Sequence, residues 1–316
     1  MVSVTQRIKQ VKQPRGGYIN PRAMEVRYLA RDGAAALVDH TSENIHASLV
    51  GMAVDYLSRW SLDHQNLPHI PVAQYAFNIS CAGASKLDRQ LGTNHAERTA
   101  DLCRLIDQSR DFNPDVPTPP TPAAIVAAVE LASFDVAFRA GVQAYNPDAN
   151  TMPDATTIQH IATMVDRSLD FFRQYGPVLV DSFTMGAGYT DTVDSGDGDF
   201  VTRDTLWDFK VSVNPPTNAH TLQLLMYWLM ARHSDWDWKP SWNWDHKMSE
   251  EDWLDIWDLD SYIRENRAWP NNLRGPAPTH IGIYNPRLDT VYRLAIDRIP
   301  PETITAVERD VIGYKK

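Results

Sequence analysis

Three carboxylates and one ammonium group lie close together in the segment GDGDFVTRDTLWDFK, residues 196–210. The acids are Asp197, Asp199 and Asp208, and Lys210 follows the last of them by two residues. Like charges repel, and an unpaired charge that is removed from water is costly. These acids are therefore either solvated loop residues or the ligands of a cation.

The strand pattern around these residues predicts that two of the acids share one surface. Side chains two residues apart on a strand face the same way, so Asp208 and Lys210 point together while Phe209 turns into the core. Asp199 lies near the start of the neighbouring strand and can reach that face. Two carboxylates and the Phe209 carbonyl make an all-oxygen site, which Mg²⁺ or Mn²⁺ prefers.

Lys210 would lie beside such a metal ion. There its ammonium group could orient or deprotonate a water molecule and stabilise the negative charge that develops on phosphorus. A divalent cation, a bound water and a lysine are the groups that metal-assisted phosphodiester hydrolysis uses. Asp197 could share the face of Asp199 as a ligand of a second metal, but a solvated turn acid is the simpler interpretation.

The elements that must position these residues form an α/β pattern. Strands are predicted at 177–185, 197–202, 205–212 and, as a hairpin, 279–296, with a further strand at 72–84. Helices are predicted at about 41–60, 90–109, 122–141, 154–175, 218–232 and 301–311. This order predicts a mixed central sheet flanked by helices.

Composition excludes several classes of protein. The chain has 316 residues, a formal net charge of −10 and two cysteines without CxxC spacing, so a disulfide scaffold and a thiolate metal centre are unsupported. No apolar run approaches the ~20 residues that span a bilayer, and no signal peptide is evident, so we expect a cytoplasmic protein with no membrane partner. Residues 7–31 are rich in Arg and Lys, which indicates either a nucleic-acid contact or a solvated terminus.

Three short motifs together resemble the PD-(D/E)XK nuclease superfamily, and most of all its RecB-like and lambda-exonuclease-like branch. They are G-x-x-D at Gly196–Asp199, D-x-K at Asp208–Lys210 and Q-x-x-x-Y at Gln223–Tyr227. The resemblance implies a restriction-endonuclease-like core and Mg²⁺-dependent cleavage of DNA. It also implies that Gln223 and Tyr227 support the active site.

The resemblance further implies a metal ligand or orienting acid on an early helix. The segment GMAVDYL offers Asp55, at the position where the family often has histidine, and NIHASL offers His46. These two residues are nine apart, about 180° around a helix, so they cannot both face one metal. A carboxylate suits Mg²⁺ better than an imidazole, which favours Asp55.

The expected organisation is a single nuclease-like domain over residues 1–316. Its core segments are about 41–62, 177–233 and 279–312, with a helical insertion at about 63–176 and a Trp-rich insertion at about 234–278. The tryptophans could stack nucleic-acid bases, but the acids among them favour a small satellite core or a surface for a protein partner.

Two alternatives stay open at this stage. The chain could be a catalytically idle module that binds nucleic acid or protein within a phage, mobile-element or defence assembly. It could also keep the same chemistry and act on RNA instead of DNA. Retention of Asp199, Asp208 and Lys210 argues against the idle module, because three polar groups are costly to hold together without a function.

Overall fold

The computed structural model describes residues 2–30, 36–62, 72–109, 118–236, 239–240 and 277–315. These residues divide into two units. The sheet unit contains the described residues up to 36 and from 171 onwards, and the helical unit contains those between 37 and 170. Most of the predicted Trp-rich insertion lies outside the described residues.

The sheet unit is built on a mixed sheet of six strands with a two-residue strand at one edge. The spatial order is β1, β7, β6, β4, β3, β2, β5. Only β4 and β6 pair in parallel among these described strands, and the other neighbours are antiparallel. The strands are β1 Glu25–Tyr28, β2 Val180–Thr184, β3 Gly198–Val201, β4 Thr205–Phe209, β5 Lys239–Pro240, β6 His280–Asn285 and β7 Thr290–Ala295.

Helices cover both faces of this sheet. On one face, α1 (Val4–Gln10), α9 (Asn218–His233) and the turn Val307–Ile312 bury the apolar side chains of the strands. On the other face lies the end of α8 (Ala155–Tyr175), where Phe171 stacks on Tyr284 with ring centroids 4.1 Å apart. A short helix, α10 (Pro301–Ala306), precedes the final turn. The prediction of an α/β fold with a mixed sheet flanked by helices is confirmed.

The helical unit contains seven α-helices among its described residues. They are α2 Ala47–Ser61, α3 Val72–Ala76, α4 Asn78–Leu91, α5 His95–Gln108, α6 Pro122–Ala132, α7 Asp135–Arg139 and the larger part of α8. Helix α2, which was expected to belong to the nuclease core, groups with this unit.

Two predictions for the helical unit are wrong. Residues 72–84 form α3 and the start of α4, not a strand. The buried positions there, such as Ala73, Phe77, Ser80 and Ala84, recur every three or four residues, so the apparent alternation hid a helical period. Helix α2 begins at Ala47, six residues later than predicted, because the side chain of His46 caps it.

A buried carboxylate holds three helices of this unit together. Asp135 of α7 accepts hydrogen bonds from the Tyr56 hydroxyl of α2 and the Ser80 hydroxyl of α4, each at 2.6 Å. It also pairs with Arg139 at 3.3 Å. Burial raises the pKa of Asp135, and these donors offset part of that cost.

Tyr56→Phe should therefore destabilise the protein. The variant removes one donor to a buried carboxylate, and hydrogen bonds to charged groups contribute about 1.5–3 kcal/mol. Chemical denaturation should report a loss of this size. The control is Tyr145→Phe in the same unit, because the described residues offer its hydroxyl no hydrogen bond and its ring stacks on Phe134. Equal losses in the two variants would contradict the prediction.

The described helices include none with the length and apolar character that a membrane span requires.

Candidate active site

The hairpin of β3 and β4 and the helix α9 position the predicted site residues. Asp199 lies on β3 two residues before Val201, and Asp208 lies on β4 two residues after Leu206. Val201 and Leu206 belong to the core beneath α9. Because alternate residues share a face, both carboxylates project from the α9 side of the sheet.

Direct contacts join the two strands at this point. The Lys210 Nζ atom lies 2.8 Å from Oδ1 of Asp208, so these side chains point the same way, as the strand alternation predicts. The backbone N–H of Phe209 donates to Oδ2 of Asp199 at 2.7 Å, which fixes the carboxylate of β3 against β4. The Phe209 ring is buried on the opposite face against Phe172 and Phe200.

The charge on Lys210 is set by its acidic neighbours. Burial on its own would lower the pKa of this ammonium group. The carboxylates of Asp208, Asp199 and Asp197 outweigh burial and raise the pKa of Lys210 to about 12. At neutral pH Lys210 is therefore a cation, and it balances part of the negative charge of the site.

Asp197 is closer to the site than the interpretation as a solvated turn acid implied. Its side chain is half-buried, and its charge contributes to the raised pKa values of both Lys210 and Tyr227. Its separation from Asp199 by one strand residue was the signal in the sequence. The charges of three carboxylates therefore raise the pKa of one ammonium group, that of Lys210.

Gln223 and Tyr227 lie on the face of α9 that meets this hairpin. The Gln223 Nε2 atom donates to the Tyr227 hydroxyl at 2.9 Å, and both side chains are buried. Burial, followed by the charge of Asp197, raises the pKa of Tyr227 well above its usual value, so the phenol is neutral. These two residues can orient groups at the site, but they carry no charge.

Gly196, the first residue of the G-x-x-D motif, makes a close approach possible. A Cβ atom there would lie 2.8 Å from Cγ2 of Val4 and 3.2 Å from Cε1 of Tyr227. The missing side chain lets α1 and α9 both contact the loop that leads into Asp197 and Asp199.

Gly196→Ala is expected to destabilise the fold by about 1–3 kcal/mol, the usual cost of overpacking a filled site. Val4 is β-branched and fully buried, so it cannot turn aside without a backbone shift. Thermal unfolding measures the loss. Ser195→Ala, one residue away, adds no atom and removes only a part-buried hydroxyl that donates to Asp194 at 3.2 Å, so it serves as the control and should lose less stability. If Gly196→Ala unfolded at the same midpoint temperature as wild type, the loop would be able to move aside without a cost in stability, which would contradict the prediction.

Asp55 and His46, the two candidates for a helix-borne ligand, lie in the helical unit. Asp55 forms an ion pair with Arg59, one turn further along α2, at 3.1 Å. The His46 Nδ1 atom accepts the backbone N–H of Ser48 and so caps the helix. Neither residue is part of the cluster within the sheet unit, and a role for either as a ligand stays a prediction.

The donor set suits a hard cation that keeps part of its water shell. Among the described residues, no group of three His, Cys, Asp or Glu side chains is arranged to hold a metal ion. Mg²⁺ in enzymes commonly binds through one or two carboxylates and retains several waters. Asp199 and Asp208 are two such carboxylates, and the Phe209 carbonyl follows Asp208 directly in the sequence.

Comparison of the chain with models of protein families, with curated proteins and with solved structures finds no match.

Proposed function

We propose that the chain is a metal-dependent nuclease that hydrolyses DNA phosphodiester bonds on a PD-(D/E)XK-like core. The observation that carries the proposal is the convergence of Asp199, Asp208 and Lys210 on one face of the β3–β4 hairpin, with Lys210 Nζ 2.8 Å from Asp208. Acids on adjacent strands beside a lysine combine a cation site with a fixed positive charge.

Each residue has a distinct role in this proposal. Asp199 and Asp208 would hold Mg²⁺ or Mn²⁺, together with the carbonyl of Phe209. When bound, the metal ion supplies Lewis acidity and lowers the pKa of a bound water. Lys210, protonated at neutral pH, orients the water or the scissile phosphate and stabilises the added negative charge in the transition state.

Gln223 and Tyr227 are positioning residues. A hydrogen bond joins their buried side chains, and the neutral Tyr227 phenol lies near the three acids without adding to their charge. A neutral donor there can hold a phosphate oxygen or a water without raising the repulsion among the carboxylates.

The test uses the purified chain with end-labelled linear duplex, single-stranded and circular DNA, and with a matched single-stranded RNA. Each substrate is incubated with Mg²⁺, with Mn²⁺ or with EDTA. Cleavage that requires the metal would support the proposal, and the circular substrate separates endonuclease from exonuclease action. Cleavage of RNA alone would retain the chemistry and change the substrate.

Absence of cleavage on every substrate would overturn the proposed function. A second measurement then identifies what the cluster does. Thermal unfolding with and without Mn²⁺ reports metal binding by mass action, independently of any substrate. A chain that neither cleaves nor gains stability with Mn²⁺ would fit the idle binding module.

A further inference from the structure

The first 24 residues of the chain have a charge opposite to that of the whole. They contain five basic residues and no acidic residue, whereas the complete chain has a formal net charge of −10. Segregated positive charge on an acidic protein requires an explanation, because such a segment attracts anions at a distance. We call residues 2–24 the basic segment.

The basic segment begins against the loop that leads into the candidate site. The backbone N–H of Val4 donates to the carbonyl of Ser195 at 2.9 Å, and the N–H of Val2 donates to Oδ1 of Asp194 at 3.0 Å. Ser195 is four residues before Asp199. The start of the segment therefore lies beside the strand that carries one of the metal-binding candidates.

The middle of the basic segment contacts the first turn of α9. The Gln13 Nε2 atom donates to the carbonyl of Asn218 at 3.3 Å. The Thr221 hydroxyl donates to the carbonyl of Ile19 at 2.8 Å. The same turn of α9 carries His220, whose pKa is lowered by burial and by the charge of Lys210. The segment thus reaches the site from a second direction.

Four of the five cations are exposed along this path. Arg7 is engaged, because its guanidinium donates to the carbonyls of Asp310 and Val311. The side chains of the other four form no ion pair with a described residue; they are Lys9, Lys12, Arg15 and Arg22. Meanwhile Ile19 and Met24 are buried in the core, so the segment is anchored and its cations are held on the surface.

We infer that the exposed cations of the basic segment bind the phosphate backbone of the nucleic acid. This binding would place the backbone beside Asp199, Asp208 and Lys210. This inference rests on the proposed function. The site itself is acidic, so a polyanionic substrate needs compensating positive charge beside it. Backbone contacts by Lys and Arg give affinity without sequence preference and release counterions, which makes binding salt-dependent.

The test compares two triple variants that lose the same charge. The first, Lys12→Gln/Arg15→Gln/Arg22→Gln, removes three cations of the basic segment. The control, Arg98→Gln/Arg104→Gln/Arg203→Gln, removes three exposed cations elsewhere; Arg203 lies in the turn at the opposite end of β3 and β4 from Asp199 and Asp208. Binding of a fluorescent linear DNA duplex is measured by anisotropy in EDTA over about 50–200 mM salt.

The first variant should bind more than about tenfold more weakly at low salt, and the slope of log K against log salt should fall by about 2–3, since each lost phosphate contact removes about 0.9. In Mg²⁺ its KM for cleavage should rise with little change in kcat. This is expected when the lost contacts are made equally with the bound substrate and with the transition state. The control variant should keep the wild-type slope.

The outcomes separate this inference from the proposed function. Equal salt slopes for the two triple variants, or no binding of DNA by wild type at low salt, would overturn the inference, whether or not the wild type cleaves. A wild type that binds through the basic segment but cleaves nothing would support the inference and overturn the nuclease.

Discussion

Replacement of Asp208 by Asn is expected to lower metal-dependent cleavage by about 10³-fold, because a bound metal contributes several kcal/mol to the transition state and each 1.36 kcal/mol is a factor of ten. Asn keeps the size of the side chain and one oxygen, so packing beneath α9 should persist. Asp208 is 3% exposed, and loss of its charge removes a ligand that solvent cannot replace.

Asp208→Asn should also lose the thermal stabilisation that Mn²⁺ gives to the wild type in the absence of substrate. A ligand at about 100 times its dissociation constant stabilises the folded state by about 2.7 kcal/mol. Wild type should gain stability of this order from saturating Mn²⁺, and Asp208→Asn should gain little. Thermal unfolding with Mn²⁺ and with EDTA measures the difference.

Asp204→Asn is the matched control for this prediction. Asp204 lies in the turn of the same hairpin, is 56% exposed and pairs with Arg293. Exposed ion pairs contribute at most about 1 kcal/mol, so this variant should keep both cleavage and the Mn²⁺ response. If Asp208→Asn cleaves at the wild-type rate, the two-carboxylate site is not the catalytic centre.

Local sequence patterns predicted the part of the site that lies within one hairpin and one helix. The period of two in β4 places Asp208 and Lys210 on one face, and the short turn at 203–204 brings β3 alongside. Gln223 and Tyr227 are four residues apart, so helical geometry alone puts them in contact. These relations join residues at most ten apart in the sequence, and the local geometry of a strand, a tight turn or a helix fixes them.

Relations between distant segments could not be predicted in this way. Helix α2 has a strongly apolar face, and its sequence does not say which partner that face buries. The helix groups with the helical unit, so the status of Asp55 depends on tertiary contacts that no local pattern encodes. The prediction of a strand at 72–84 was wrong for a related reason. A short apolar run fits both a strand and a helix until its burial is known.

Lys210→Met should separate catalysis from metal binding. Cleavage is expected to fall by about 10²–10³-fold, the usual loss when one preorganised group that stabilises transition-state charge is removed. Burial alone would lower the pKa of Lys210, yet its acidic neighbours raise it to about 12, so the wild-type group is a cation over the whole neutral range. Met keeps most of the length of the side chain and removes that charge.

The response to metal should be retained in Lys210→Met, in contrast to Asp208→Asn. The ammonium group that lies 2.8 Å from Asp208 is then gone, and the carboxylates meet Mn²⁺ without a competing cation. Stabilisation by Mn²⁺ should therefore equal or exceed that of wild type. A Lys210→Met protein that cleaves at the wild-type rate would remove Lys210 from the mechanism.

Lys210→Arg tests how the charge is used. Arginine keeps the positive charge but does not give up a proton in proteins, so it can orient a water or stabilise a phosphate but cannot act as a base. Because the acidic neighbours of Lys210 favour its protonated form, we expect Lys210→Arg to cleave measurably faster than Lys210→Met. Equal inactivity of the two variants would instead indicate that the site needs the shape or the proton transfer of lysine, since the retained charge would then have been insufficient.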